Sequence, residues 1–169
     1  YLDIDTEVIW TYGTTDFLEV LFRESLPYKP GTHYQYSDAA YYLLSRVVEA
    51  RAGEPVDRLL MRKLFVPMRV REAAWSRCPM NHPIGATGLY MRASDMVKLG
   101  WLYVTGGVYE GRRILSEEWV RLEQERNLAF VPAGAGDLRG KGGMRGQMLL
   151  FSPGGRFAAA WHSFDPEKK

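Results

Sequence analysis

With 169 residues, 46% of them hydrophobic and 25% charged, the chain has the composition of a globular domain and enough length to bury a core without disulfide or metal staples. Its 22 basic and 20 acidic residues leave a net charge of +2 and form no basic stripe, so nothing points to nucleic acid or an anionic membrane as a partner. Cys78 stands alone, which excludes an intrachain disulfide, and no apolar run is long enough to be a membrane segment; the compartment stays open, cytoplasmic and exported both fitting.

In chain order, residues 1–16 mix apolar and turn-forming residues without a period. Thr15 or Asp16 then caps a short helix over 17–22, whose apolar residues recur at helical spacing. Pro27, Pro30 and Gly31 stop it in an extended loop. Ser37 and Asp38 open a helix from 39 to about 52, with Tyr42, Leu43, Val47 and Ala50 expected on one buried face and Arg46, Glu49 and Arg51 facing out; Gly53 ends it. Glu54-Pro55 starts a second helix with Val56, Leu59, Leu60, Leu64 and Phe65 as its apolar stripe, and the two are expected as antiparallel neighbours. Residues 68–88, with Trp75, Cys78, Pro79 and Pro83, predict a long ordered loop of the kind that lines a site.

Ser94 or Asp95 is expected to cap the next helix, which buries Met96, Val97, Leu99, Gly100 and Leu102 and closes at Gly106-Gly107. Gly111-Arg112 reads as a tight turn, Ile114-Leu115 as a short extended piece, and Ser116 as the cap of a helix with Glu117 and Glu118 at its positive end. Beyond Asn127 the chain turns glycine-rich. Residues 147–151 and 156–161 then read as two strands joined by Ser152-Pro153-Gly154-Gly155. A helical region at 15–126 followed by a closing β-hairpin region at 140–164 predicts a single α+β domain over 1–169 with an antiparallel sheet.

Two polar clusters could carry chemistry. One is Tyr36-Ser37-Asp38 at a helix start; the other is Gly140-Lys141-Gly142-Gly143-Met144-Arg145-Gly146-Gln147. The second is not a phosphate loop, since Ala135 and Gly142 stand where such a loop needs glycine and Ser or Thr. A lysine between glycines on a strand fits close backbone approach to a substrate, with the ammonium as a fixed charge. His33, Ser37 and Asp38 are too close in sequence for triad geometry, and no Gly-x-Ser-x-Gly elbow exists. Cys78 and His82 are spaced as two zinc ligands but lack a second pair, so neither a metal nor another cofactor is expected. On residue type alone, Ser37-Asp38 is equally a helix cap, Tyr36 a packed aromatic, and 140–146 a hairpin entry.

Together the motifs carry a resemblance. Pro30-Gly31-Thr32 ahead of Tyr36-Ser37-Asp38, Leu64-Phe65-Val66-Pro67-Met68, Gly85-Ala86-Thr87-Gly88-Leu89-Tyr90 with Ser94-Asp95-Met96, and Lys141-Gly142-Gly143 follow one another over nearly the whole chain. In that order they resemble the C-terminal part of the serine β-lactamase and penicillin-binding-protein-like superfamily, in its class-C-like serine hydrolase branch. The resemblance implies a β-lactamase/DD-peptidase-like fold, an antiparallel sheet packed with helices, whose N-terminal part is missing here. It also implies acyl-enzyme transfer on an amide or ester: a D-amino peptide, a β-lactam or a small ester.

By position, the resemblance makes Tyr36 the proton carrier that works with the lysine of a Ser-x-x-Lys motif. Lys141 is the cation of the third motif, and the backbone N–H of Met144 completes an oxyanion hole. Asp38, Gly142 and Gly143 line the substrate. Two departures stand out. No Ser-x-x-Lys occurs, because Lys29 and Lys98 each lie one position too far from Ser25 and Ser94. Asp38 also stands where the family has asparagine, an acceptor-only group beside a tyrosine that must lose its proton. The expected partners are therefore a small-molecule or peptide substrate and, for faces left uncovered, the missing N-terminal portion or self-association. The rival reading is a non-catalytic binding or interaction module derived from the same fold.

Overall fold

A computed structural model describes residues 13–23, 25–142 and 148–161. The chain divides into two compact units, residues 1–62 with 74–90 and residues 63–73 with 91–169.

In the first unit, helix α1 (Phe17–Arg23) starts where Asp16 accepts the Leu18 N–H at 2.9 Å, the expected cap. Helix α2 (Asp38–Ala52) runs to Gly53, which takes the left-handed conformation (φ 71°) that only glycine adopts without strain and returns its N–H to Glu49 at 2.9 Å. Its buried face differs from the expected one. Ala39, Tyr42, Ser45 and Glu49 are buried, whereas Val47 is 56% exposed and Ala50 lies outward.

Glu49 can be buried because its carboxylate is fully occupied. It accepts from Arg46 Nη1 at 2.7 Å and from the Val56 N–H at 3.1 Å, and it lies 2.9 Å from His82 Nδ1. The core around it joins Phe17, Ala39, Tyr42, Cys78 and Ile84, with the Phe17 and Tyr42 rings 5.4 Å apart.

The second helix begins at Pro55 as expected, but only Val56–Leu60 (α3) is α-helical. Met61–Phe65 widens into a π-helical turn. Residues 68–88, read as a loop, contain strand β1 (Ala73–Trp75), which pairs with β2 (Leu89–Met91). Three-residue strands give too short an alternation to be seen in sequence. The stretch between them is ordered by Ser76 N–H to Gly88, Ile84 N–H to Ser76 and Cys78 N–H to His82, at 2.8–2.9 Å, and by Trp75 Nε1 donating to Ile84 at 2.7 Å.

In the second unit, α4 (Ala93–Val104) has Arg92, not Ser94 or Asp95, at its N-cap. Asp95 is 1% exposed inside the first turn and accepts from Arg71 N–H at 2.9 Å, Glu72 N–H at 3.4 Å and Lys98 Nζ at 2.6 Å, while Lys98 also donates to the Arg69 carbonyl at 2.5 Å. It therefore ties 69–72 to α4 instead of capping it. Strands β3 (Val108–Tyr109) and β4 (Arg112–Arg113) form a hairpin around Glu110-Gly111, and α5 (Glu117–Arg126) is capped by Ser116, whose hydroxyl accepts the Trp119 N–H at 3.1 Å.

The closing region is larger than a hairpin. Strands β5 (Val131–Pro132), β6 (Arg139–Gly142), β7 (Met148–Ser152) and β8 (Phe157–Trp161) form an antiparallel sheet in the order β5-β6-β7-β8. The β7–β8 pair, with Ser152 opposite Phe157, is the expected hairpin; β5 and β6 were hidden in glycine-rich sequence. Helix α4 packs on β7 and β8, where Gly100 lets the helix close in: a Cβ there would lie 3.0 Å from Leu149 and 3.2 Å from Ala158. Val104, Phe130, Leu149 and Phe151 form the core, and the Tyr103, Phe130 and Phe151 rings pack with centroids 5.0–5.5 Å apart, Tyr103 stacked on Phe151 and Phe130 edge-on to both. The α+β architecture with a helix-packed antiparallel sheet is as the sequence implies.

Two consequences can be measured. Burial, the largest single influence on Asp95, raises its pKa, but Lys98 and the N–H groups of Arg71 and Glu72 together hold it below the usual carboxylate value. Its stabilising contribution is therefore present above the unfolded value of about 3.9 and is lost as pH falls through the folded one. Asp95→Asn is expected to cost about 1–3 kcal/mol near neutrality, with the gap to wild type closing in acid. A gap in urea unfolding that does not change with pH would contradict this. Glu49→Ala, which strands three donors, is expected to cost about 2–4 kcal/mol, whereas exposed Val47→Ala should stay within about 0.5 kcal/mol; equal effects in thermal unfolding would overturn the role given to Glu49.

Candidate active site

The first motif is presented by a loop that folds on itself. Thr32 donates through its N–H (3.2 Å) and its hydroxyl (2.7 Å) to the Lys29 carbonyl across the Pro30-Gly31 turn, and the Tyr28 and His33 rings stack at 4.2 Å. His33 Nδ1 lies 2.8 Å from the Thr32 hydroxyl. The chain then enters α2 through Ser37, whose extended backbone (φ −156°, ψ 129°) places its carbonyl to accept the Ala40 N–H at 3.1 Å. The Ser37 side chain does not supply the capping bond, so the cap reading accounts for its backbone only.

Tyr36 donates its phenolic O–H to Asp38 Oδ1 at 2.7 Å, and its ring packs 5.6 Å from that of Tyr41. Tyr36 is 47% exposed, so it is not the packed core aromatic that residue type alone suggested. An exposed phenol in one fixed orientation can pass a proton, and the carboxylate beside it can accept hydrogen bonds but, when ionised, donate none. Tyr41 was missed by the sequence reading. The signal was its helical phase, one residue from buried Tyr42, which sets it beside the start of α2.

The glycines of 85–88 have a packing explanation. A Cβ on Gly85 would stand 2.5 Å from the Ser45 Cβ and 2.7 Å from the Tyr41 carbonyl, and one on Gly88 would meet Ser76 at 2.5 Å. They let this segment lie directly against α2 and β1.

Lys141 and Gly142 are both exposed and lie together on β6, paired with Leu149 and Met148 respectively. Gly140 beside them is buried, and a Cβ there would come within 2.7 Å of the Leu150 Cδ2 and 3.0 Å of the Ala133 Cβ, so those side chains would have to shift. Tyr36 and Asp38 belong to the first unit and Lys141 and Gly142 to the second. Gly143 and Met144, with the oxyanion role expected for Met144, lie outside the described residues.

The discarded alternatives have structural occupations. Cys78 is buried and accepts the Tyr42 hydroxyl at 3.4 Å; burial first, and then the Cys78 thiol, push the Tyr42 pKa up. His82 is engaged with Glu49. Among the described residues no group of three or more His, Cys, Asp or Glu is placed to hold a metal, and no helix is long and apolar enough to cross a membrane. Ser94 and Lys98 cannot replace a Ser-x-x-Lys pair, because Lys98 is bonded to Asp95 and the Arg69 carbonyl.

The family model described as Beta-lactamase matches residues 3–169. A protein of Escherichia coli K12 named "Putative D-alanyl-D-alanine carboxypeptidase" is 39% identical over 51 residues, which are 30% of this chain and 12% of that protein. The N-acetylmuramyl-L-alanine amidase of Bacillus subtilis is 34% identical over 59 residues, 35% of this chain and 13% of that one. Among solved structures, one titled "Putative 6-aminohexanoate-dimer hydrolase from Bacillus anthracis" superposes with a TM-score of 0.80 at 19% identity, over 90% of this chain and 44% of that one. The chain thus spans less than half the length of these relatives, and at 19% identity the solved structure speaks to the fold alone. With the family model matched over nearly all of its residues, the chain belongs to the Beta-lactamase family.

Proposed function

We propose that the chain supplies the second and third motifs of a serine hydrolase that works by acyl-enzyme transfer on an amide or ester: a D-amino peptide, a β-lactam or a small ester. The observation that carries this reading is the exposed Tyr36 phenol, held in one orientation at the start of α2 by its 2.7 Å bond to Asp38, at the position where the family motif has its proton carrier. The relatives named for carboxypeptidase and amidase activity support the amide side of the substrate range.

In this reading a serine outside these residues attacks the carbonyl. As its O–C bond forms, its proton passes to the deprotonated Tyr36 oxygen. That proton then goes to the leaving amine or alkoxide as the C–N or C–O bond breaks, and water repeats the sequence to release the acid. By their places in the motifs, Lys141 supplies a cation for a substrate carboxylate, Gly142 and Gly143 are substrate-binding residues, and the Met144 N–H is an oxyanion donor, a contribution of about 3–4 kcal/mol per donor. In this family-like mechanism the chain itself carries no nucleophile.

One observation favours the rival binding module. Tyr36 donates its O–H to Asp38, so the phenol stands in its protonated form, which a base cannot use. Activity separates the two. In the complete gene product, Tyr36→Phe is expected to lower kcat/KM for p-nitrophenyl acetate by about 100-fold or more. A variant at near wild-type rate would remove Tyr36 from the mechanism, and a wild type that hydrolyses no ester would favour the binding module.

A further inference from the structure

We infer that Arg139 is a positioning residue for Lys141: it fastens strand β6 to the C-terminal turn of α5 and thereby sets where the Lys141 ammonium meets a substrate carboxylate. The inference rests on the role given to Lys141 above. Arg139 and Lys141 are two residues apart on β6 and so share one face of the sheet, the face on which their cross-strand partners Phe151 and Leu149 are buried. The two cations are employed differently there. Lys141 is exposed, whereas Arg139 is half-buried and turned to α5. Its Nη2 donates to the Gln124 carbonyl at 3.1 Å and its Nη1 to Asn127 Oδ1. Both are neutral acceptors at the negative end of the helix dipole, where a guanidinium is favoured.

The anchor matters because of how β6 is paired. Strand β5 reaches only Arg139 and Gly140, opposite Pro132 and Val131, whereas Lys141 and Gly142 pair with β7 beyond its end. The bracing from this side therefore stops at the residue before Lys141. The same helix also holds β5. Glu123, fully buried in α5, accepts the Phe130 N–H at 2.9 Å and the Ala129 N–H at 3.4 Å through Oε1. Asn127, which Arg139 grips, is the C-cap of α5 in the left-handed conformation (φ 51°). The last turn of α5 thus secures the lead into β5 through Glu123 and β6 itself through Arg139. A binding group misplaced by about 1 Å can cost about 100-fold, so this tie bears on binding as well as on folding.

Competitive inhibition of p-nitrophenyl acetate hydrolysis by the complete gene product tests this, with hippurate and hippuramide as probes that differ in carboxylate against amide. The wild type is expected to bind hippurate at a Ki about 10-fold or more below that of hippuramide, and Lys141→Met to level the two. In Arg139→Gln the ratio should fall to about 3 or less while kcat for the neutral ester stays within about 2-fold, and Arg139→Lys should restore part of the ratio. Loss of stability alone would not separate the two probes. Asn127→Gly suits the left-handed backbone and removes one acceptor, so it should move the ratio the same way even if Arg139→Gln fails to fold. Hydrogen exchange read by mass spectrometry should show the 139–142 amides exchanging about 10-fold or more faster in the folded variants. A ratio that stays at the wild-type value in those variants, or exchange at 139–142 that does not change, would overturn this inference alone. Ester hydrolysis without a preference for hippurate, or with one that survives Lys141→Met, would overturn the role of Lys141 and the inference with it. Absence of any ester hydrolysis would overturn the hydrolase reading and, with it, both.

Discussion

The carboxylate of Glu49 is the constraint on which the first unit depends. A charge that is 8% exposed must find partners or be protonated, and here Arg46, His82 and the Val56 N–H supply them from three different segments. The helix, the turn after Gly53 and the ordered stretch 76–88 are therefore fastened to each other at one point. Tyr42 packs on Phe17 and donates to Cys78, adding an apolar seam along the same face. Tyr36 and Ser37 lead directly into the first turn of α2, where Asp38 lies. Asp95 does the corresponding work in the second unit, where a nearly inaccessible carboxylate binds α4 to 69–72.

The two carboxylates that hold the fold differ in kind from the one at the proposed site. Glu49 and Asp95 are buried and matched by cations and backbone donors. Asp38 is partly exposed and accepts from a neutral phenol. A fold must saturate the charges it buries, because an unpaired buried charge is costly, whereas a partly exposed one is solvated. Where the resemblance expects asparagine, Asp38 accepts the Tyr36 O–H at 2.7 Å, and an ionised carboxylate offers acceptors but no donor.

Much of the fold was legible because local chemistry decided it. Asp16 and Ser116 cap helices as their side chains predict, Gly53 ends α2 in the left-handed region, and the β7–β8 turn falls where Pro153, Gly154 and Gly155 place it. What was not legible depends on tertiary partners. Glu49 reads as outward-facing by residue type until His82, 33 residues away, reaches it. Asp95 looks like a cap until Arg71 and Glu72 donate to it. Strand β6 is concealed by glycines, of which Gly140 packs closely against Leu150 and Ala133. At the site, the motif residues Tyr36 and Asp38 were readable, but their direct bond and the ring of Tyr41 were not, since contacts between side chains two and five residues apart depend on how the chain enters the helix.

Central to the proposed chemistry is a serine nucleophile that these residues serve and that is not among them. Treating the complete gene product with a fluorophosphonate and digesting it for mass spectrometry would locate the covalent adduct directly. A single modified serine is expected, in a Ser-x-x-Lys sequence outside residues 1–169. An adduct on Ser37, Ser94 or any other serine of this chain would contradict it.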